Sequence, residues 1–203
     1  MQKIILDIDK INTVNLKPGL PYINWTSNVS VNDVYEKDAG IEHYKLLAYM
    51  ASCINDTENP LIDIGTETGC SAAALSCNNE HHVITYDIVD NISSSELLTI
   101  KNKPNIIYKI KDCCDDMDVV CKSKLILLDV DPHDGIQEPK IMDCLIDGGF
   151  NGILLLDDIH LNPQMEDFWN SIKLKKYDIT KYGHWSGTGL VIFDETLFDI
   201  EMI

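Results

Sequence analysis

A chain of 203 residues, 45% of them hydrophobic, is long enough to bury one core and too short for two ordinary domains. Its 33 acidic residues outweigh 16 basic ones, for a net charge of −17, and every basic residue is a lysine. This balance argues against a nucleic-acid partner, which needs a basic surface and usually arginine. A small, neutral or metal-chelated substrate fits the charge better.

Nothing in the sequence predicts secretion or membrane insertion. The first residues include acidic side chains and lack the apolar run of a signal peptide, and no stretch of about 18 apolar residues occurs. The seven cysteines contain no C-x-x-C pair, so we expect reduced thiols in a cytoplasmic protein. The oligomeric state stays open, a homo-oligomer included.

The first 39 residues show little regular pattern. Residues 1–8 have the composition of a strand, 17–21 form a turn cluster, and the polar stretch 25–38 predicts an irregular arm or lid. Apolar residues then recur at helical spacing from Gly40 to about Ile54, which predicts an amphipathic helix. We therefore expect an N-terminal arm over 1–39 and one folded domain over 40–203.

After Pro60, short apolar runs alternate with helical stretches. The predicted strands are 61–65, 82–87, 105–111, 124–129 and 152–156, and the predicted helices are 71–77, 94–100, 137–146 and 163–174. The last segments, 176–182 and 189–193, predict an antiparallel hairpin around a glycine-rich loop. The whole pattern predicts an α/β fold, a Rossmann-like three-layer αβα sandwich whose mostly parallel seven-stranded sheet ends in a C-terminal antiparallel hairpin.

The strongest local signal is a glycine turn between a strand and a helix. Gly65 and Gly69 allow a tight turn with close backbone approach, and their G-x-x-x-G spacing differs from the G-x-G-x-x-G of dinucleotide sites. Asp63, at the end of the strand, is suited to the ammonium group of a zwitterionic ligand such as S-adenosylmethionine. An ordinary strand-to-helix turn would have the same glycines.

Acids at the ends of the next strands strengthen the nucleoside interpretation. Asp87 lies 22 residues after Gly65, where a carboxylate accepts hydrogen bonds from ribose hydroxyls. Asp112 could accept from an adenine amino group, with Asp115 or Asp116 as substitutes. The predicted cofactor site comprises Asp63, Gly65, Thr66, Glu67, Gly69, Ser71, Asp87, Asp112 and Asp129.

A second group of acids follows two strands that should be neighbours. One strand ends in Asp129-Val130-Asp131 and the other in Asp157-Asp158, so these carboxylates should converge beside the cofactor. Clustered carboxylates repel one another unless they are protonated or neutralised, and Mg²⁺ prefers carboxylate oxygens. Capping of the following helices by aspartate is the simpler alternative for any single residue.

These paired acids, 28 residues apart and preceded by Gly148-Gly149 before the second pair, resemble those of metal-dependent sugar O-methyltransferases of the macrocin and novobiocin type. They resemble catechol-type O-methyltransferases more distantly. The resemblance spans about 40–194 and implies a class I methyltransferase in which Asp129, Asp157 and Asp158 bind Mg²⁺ and Asp131 is the general base. The chain departs from that family by placing Pro132-His133 where an aromatic residue often follows.

The implied reaction transfers a methyl group from S-adenosylmethionine to a hydroxyl of a small sugar-like or catechol-like acceptor. Asp131, His133 or His160 would remove the proton, and an imidazole has the more suitable unperturbed pKa. His184 and Trp185, on the hairpin loop, are candidates for the acceptor pocket, although a surface position is the more common case for such a histidine and packing is an equal alternative for Trp185.

Three alternatives stay in competition with this interpretation. They are a metal-free methyltransferase acting on nitrogen or another atom, a non-catalytic Rossmann-like binding protein, and an NAD-dependent oxidoreductase. The oxidoreductase is the least favoured of them, because the glycine spacing does not match a dinucleotide site.

Overall fold

The computed structural model describes residues 1–18, 35, 40–78, 80–91 and 103–203. The strands are β1 (Gln2–Leu6), β2 (Leu61–Ile64), β3 (Val83–Asp87), β4 (Ile106–Ile110), β5 (Leu125–Leu128), β6 (Ile153–Asp157), β7 (Lys175–Asp178), β8 (Thr188–Ile192) and β9 (Phe198–Met202). The helices are α1 (Ile8–Asn12), α2 (Ile41–Cys53), α3 (Cys70–Leu75), α4 (Met117–Val120), α5 (Gln137–Asp147) and α6 (Pro163–Ser171), with 3₁₀ turns at Cys113–Asp116 and Thr180–Tyr182.

Seven strands form one sheet in the order β4-β3-β2-β5-β6-β8-β7. The pairs from β4 to β6 are parallel, and β8 runs antiparallel to both β6 and β7. The predicted mostly parallel sheet with a C-terminal antiparallel hairpin is therefore confirmed. The order reverses between β2 and β5, and ligands of open α/β sheets bind outside the carboxyl ends of the strands at such a point.

The sheet is covered on both faces, and its central strand β5 is apolar throughout. Along β5, Leu125 and Leu127 join the core beneath α2 and α3, whereas Ile126 and Leu128 join the core beneath α5 and α6. This alternation follows from the two-residue period of a strand. It produces the three-layer sandwich that the sequence predicts.

A two-stranded parallel sheet, β1 with β9, adds the N-terminal segment to the domain. Ile4, Leu6 and Ile11 are buried in the same core as α2, together with Phe198 of β9. Sequence analysis anticipates β1 but not β9, α1 or α4. The polar arm or lid falls mostly in residues 19–34 and 36–39, and the helix expected at 94–100 falls in 92–102, so both lie outside the described residues.

Two further expectations concern the cysteines and membrane insertion. All seven cysteines are free thiols, with no disulfide between them. Within the described ranges, no helix combines the length and the apolar character that a membrane span requires.

Candidate active site

The register of three parallel strands brings the predicted site residues to one edge of the sheet. Ile64 of β2 pairs with Leu128 of β5, which pairs with Leu156 of β6. The residues that follow, Gly65, Asp129 and Asp157, are therefore neighbours at the carboxyl edge. This is the convergence that parallel pairing predicts for acids at strand ends.

The turn after β2 lies directly against the backbone that follows β5. Gly65 has φ +102°, and a Cβ built on it would lie 1.5 Å from the carbonyl oxygen of Asp129. The Gly65 N–H donates to the carbonyl oxygen of Tyr86 at 2.9 Å, and the Asp129 N–H donates to that of Ile64, also at 2.9 Å. Glycine is thus required at 65 by close backbone contact, and Gly69, with φ +84°, opens α3.

Asp63 is fully buried beneath this turn. One carboxylate oxygen accepts hydrogen bonds from Ser71 Oγ at 3.1 Å and Thr85 Oγ1 at 2.7 Å. The other oxygen, Oδ1, has no hydrogen-bond partner in the part of the chain that the structure describes. Burial, opposed by the two hydroxyl donors, raises the pKa of Asp63 to about 7.

Three more of the predicted cofactor residues, Thr66, Glu67 and Asp87, belong to the same turn or contact it. Thr66 Oγ1 lies 2.5 Å from Thr85 Oγ1, which ties the turn to β3. Glu67, with φ +43°, donates its N–H to Asp87 Oδ2 at 3.0 Å. Asp87 thereby fixes the loop, and its side chain stays partly exposed at the end of β3.

Each of the acids Asp112 and Asp116, which follow β4, forms an ion pair with a lysine. Asp112 accepts from Lys140 Nζ at 2.8 Å and from the Cys114 N–H at 3.0 Å. Asp116 accepts from Lys109 Nζ at 2.6 Å and from the hydroxyl of Tyr86 at 2.9 Å. Hydrogen bonds with Lys109 and Tyr86 lower the pKa of Asp116 to about 2. Either carboxylate keeps lone pairs for a further donor.

Imidazoles join the second predicted group of acids. Three sets of possible ligand atoms lie within 4.8 Å of one another: His43 with Asp129 and Asp157, His133 with Asp129 and Asp158, and His184 with Asp157 and Asp158. We refer to these residues together as the acid–histidine cluster: His43, Asp129, His133, Asp157, Asp158 and His184.

His133 lies among the carboxylates at the rim of this cluster. Its Nε2 is 3.2 Å from Asp158 Oδ2, 3.5 Å from Asp131 Oδ1 and 3.7 Å from Asp129 Oδ1. Its Nδ1 faces the other way, 3.8 Å from Oε1 of Glu138. Asp131 itself is mostly in solvent, with 85% of its side chain exposed.

His43 and His184 enclose Asp157 from the interior. The Nδ1 atoms of His43 and His184 lie 3.7 Å and 3.6 Å from Asp157 Oδ1, which has no hydrogen-bond partner among the described residues. His184 Nδ1 is also 3.2 Å from Asp158 Oδ1, and Ser186 Oγ donates to that oxygen. No sequence pattern indicates His43, Ser186 or Glu138, because a histidine on an apolar helix face, a loop serine and a first-turn glutamate carry no signal of their own.

Charge in the cluster is partly compensated by these imidazoles. Burial, followed by repulsion from Asp157 and Asp158, raises the pKa of Asp129 well above its ordinary value. Burial opposes protonation of His184, but the nearby carboxyl groups of Asp157 and Asp158 outweigh it and raise the pKa of His184 to about 10. Burial lowers the pKa of His43. His184 therefore carries a positive charge next to the acids of the cluster.

Of the three predicted bases, His160 makes its contacts elsewhere. Its Nε2 lies 2.8 Å from Asp178 Oδ2, and its Nδ1 lies 3.6 Å from Glu166. The ring is thus engaged by surface acids of β7 and α6. Of the other two predicted bases, His133 belongs to the cluster and Asp131 contacts it.

A separate open groove, about 640 Å³ in volume, lies between α5 and α6. Apolar side chains such as Met142, Ile146 and Phe168 line it together with Asp143 and Asp167. None of the predicted site residues lines this groove. Gly65, Asp129 and Asp157 lie instead at the carboxyl edge of the sheet.

No protein-family model matches the chain, and no curated protein is detectably similar to it in sequence. A Staphylococcus aureus protein assigned as a caffeoyl-CoA O-methyltransferase is similar in structure, with a TM-score of 0.54 and 13% identity over 80% of this chain and 87% of that one. Cofactor-bound Rv0187 from MTB is similar with a TM-score of 0.56 and 14% identity, over 80% of this chain and 84% of that one. A Corynebacterium glutamicum protein is similar with a TM-score of 0.54 and 13% identity, over 77% of this chain and 82% of that one. The chain therefore has the Rossmann-like fold of class I methyltransferases.

The contact between Gly65 and Asp129 predicts an unusual sensitivity to a single methyl group. Gly149→Ala meets open space at φ +72° and should destabilise the protein by only about 1–2 kcal/mol, the cost of a left-handed conformation. Gly65→Ala should cost more, because its Cβ must displace the Asp129 backbone. Urea denaturation of both variants measures the difference, and equal losses would refute the close contact.

Burial of Asp63 predicts a pH-dependent stability. Because its folded pKa of about 7 exceeds that of an unfolded aspartate, the carboxyl group favours the folded state at low pH and that contribution is lost as pH rises towards 7. Relative to Asp63→Asn, the wild type should lose up to about 1.4 kcal/mol per pH unit between roughly pH 4 and 7. Denaturation of both proteins across this range measures it, and parallel profiles would contradict the shifted pKa.

Proposed function

We propose that this protein is an S-adenosylmethionine-dependent methyltransferase that methylates a hydroxyl group of a small acceptor with the help of a divalent metal ion. The observation that carries the proposal is the contact between the Gly65 turn and the backbone of Asp129. A cofactor held by the turn and a cation held by the cluster would be immediate neighbours. The fold supports this proposal, and so does the name of the S. aureus protein that shares it.

The residues around the turn fit the cofactor. Asp63 Oδ1, buried and without a donor in the described structure, is available to an ammonium group. Asp87, partly exposed at the end of β3, is available to ribose hydroxyls, and Asp112 or Asp116 to an adenine amino group. S-adenosylmethionine supplies an electrophilic methyl group on its sulfonium when it is bound.

The acid–histidine cluster fits a cation. One ligand atom from each of Asp129, His133 and Asp158 lies within 4.8 Å of the others, a separation that allows one ion to contact all three after small side-chain adjustments. Asp129, Asp157 and Asp158 are the ligands expected from sequence. A divalent ion bound there would lower the pKa of an acceptor hydroxyl and orient it.

The reaction forms a bond between the acceptor oxygen and the methyl carbon while the bond between that carbon and sulfur breaks, its electron pair remaining on sulfur. The hydroxyl proton passes to a base, for which Asp131 and His133 are the candidates that contact the cluster. Trp185, 75% exposed with its ring 5.6 Å from that of His184, offers an aromatic wall for an acceptor ring.

One observation favours a second candidate, metal-free methyl transfer. His133 Nε2 is within 3.7 Å of three carboxylates, so an imidazolium there would compensate part of their charge without a metal ion. In that case the cluster would serve as an acid–base network alone.

The cofactor assignment is tested by calorimetric titration with S-adenosylhomocysteine. The wild type should bind it, and Asp87→Asn should weaken binding at least ~10-fold, because a hydrogen bond to a charged acceptor contributes about 1.5–3 kcal/mol. Asp167→Asn, on the exposed side of α6, is the matched control and should bind like the wild type. Absence of binding by the wild type would overturn the methyltransferase proposal.

The role of the cluster is tested by turnover. Methyl transfer from S-adenosylmethionine to a panel of catechols and hexoses is measured with and without EDTA. Asp158→Asn and EDTA should each slow the reaction at least ~100-fold, since metal ions contribute several kcal/mol to such transition states. The affinity of Asp158→Asn for S-adenosylhomocysteine should stay within about threefold of the wild type. A reaction slowed by Asp158→Asn but unaffected by EDTA would favour the metal-free candidate.

A further inference from the structure

We propose that His133 is a metal ligand oriented by Glu138, and that the ligand set Asp129, His133 and Asp158 selects a first-row transition-metal ion over Mg²⁺. The inference rests on the metal-assisted function proposed above. It replaces Asp157 of the expected ligand set with an imidazole.

The spacing of the three side chains suits a common ion. Donor atoms bound to one metal at about 2.0–2.2 Å lie roughly 3–3.6 Å apart. His133 Nε2 is 3.2 Å from Asp158 Oδ2 and 3.7 Å from Asp129 Oδ1, and one ligand atom from each residue lies within 4.8 Å of the others. Small side-chain adjustments would bring all three to an ion.

Glu138 is the independent observation behind this assignment. Its side chain lies in the first turn of α5 and is 1% exposed, and no side chain among the residues that the structure describes donates a hydrogen bond to either carboxylate oxygen. Oε1 lies 3.8 Å from His133 Nδ1, on the side of the ring away from the cluster. A carboxylate that accepts a hydrogen bond from one imidazole nitrogen fixes its tautomer and turns the other nitrogen towards a metal, and a shift of roughly 1 Å would bring Glu138 to that distance.

Asp157 is less suited than His133 to bind an ion that enters from solvent. It is 3% exposed, and its Oδ1 is enclosed by His43 and His184. A side chain held between two imidazoles is better placed to support Asp158 from behind than to meet an ion that enters from solvent. His133, by contrast, lies beside the exposed Asp131, which remains available as the base.

The ligand set determines which ions bind well. Mg²⁺ prefers oxygen ligands and retains its waters, whereas imidazole favours iron, cobalt, nickel and zinc. Replacement of one carboxylate by a neutral imidazole also removes a negative charge from the site. Both effects disfavour Mg²⁺.

Metal-free protein is titrated with Co²⁺ and with Mg²⁺ by calorimetry, in the absence of cofactor and acceptor. Co²⁺ should bind at least ~10-fold more tightly than Mg²⁺. The Mn²⁺-loaded protein is then examined by electron spin-echo envelope modulation, which detects nitrogen bound to the ion. We expect a signal from one directly coordinated imidazole. Absence of this signal, or tighter binding of Mg²⁺, would overturn the assignment whatever the variants do.

Three variants identify the nitrogen. His133→Ala should abolish the nitrogen signal and weaken Co²⁺ binding by at least the ~10–100-fold typical of an outer-shell partner, and Glu138→Gln should weaken it by about 10-fold with the signal retained. His82→Ala, an exposed histidine before β3, should change neither. A nitrogen signal that persists in His133→Ala would assign the ligand to another histidine and refute the proposal.

The proposed function and this inference fail in different experiments. Loss of S-adenosylhomocysteine binding by the wild type would refute the methyltransferase while leaving the imidazole-ligated metal in place. Metal binding without a nitrogen signal would refute His133 as ligand while leaving the methyltransferase in place.

Discussion

The structure depends on one close contact, in which the backbone of the turn after β2 lies against the backbone after β5. No side chain fits between Gly65 and the carbonyl oxygen of Asp129, so the two segments touch directly. The contact exists because β2 and β5 are parallel neighbours whose ends are in register. It places the Gly65 turn directly against Asp129 of the acid–histidine cluster. Neither half can be interpreted as an isolated motif.

The reversed strand β8 has a chemical consequence as well as a topological one. Because β8 runs antiparallel to β6, its first residue, Thr188, pairs with Asp157, the last residue of β6. The loop that precedes β8 is thereby delivered to the same edge as the parallel strand ends, and it carries His184 and Ser186. The His184 N–H donates to Thr188 Oγ1 at 3.1 Å, which anchors that loop. A further imidazole thus reaches Asp157 and Asp158, which His43 and His133 approach from other elements.

Sequence reasoning reached the sheet and the convergence of acids, and it missed what tertiary packing alone decides. The apolar runs of β5 and β6 can only be central strands, and the ends of parallel strands must meet. By contrast, the position of His43 on its helix predicts only a core residue, and the position of Glu138 predicts only an acid that stabilises a helix N-terminus. β9 was missed because its burial depends on pairing with β1 at the far end of the chain. His160 follows Asp158 by two residues, yet its ring contacts Asp178 on β7, a pairing that no local pattern encodes.

Backbone strain points to the same edge of the sheet. Among the described residues, the non-glycine side chains with positive φ are Glu67 (+43°), His133 (+56°) and Asp158 (+60°). Such conformations cost of order 1–3 kcal/mol each and persist where the surrounding structure requires them. Glycine would relieve the strain at all three positions, but at 133 and 158 it would remove the side chains that meet at 3.2 Å within the cluster. At 67 the strained backbone directs its N–H to Asp87. Strain is therefore concentrated at the carboxyl edge of the sheet, at residues whose side chain or backbone N–H makes a specific contact there.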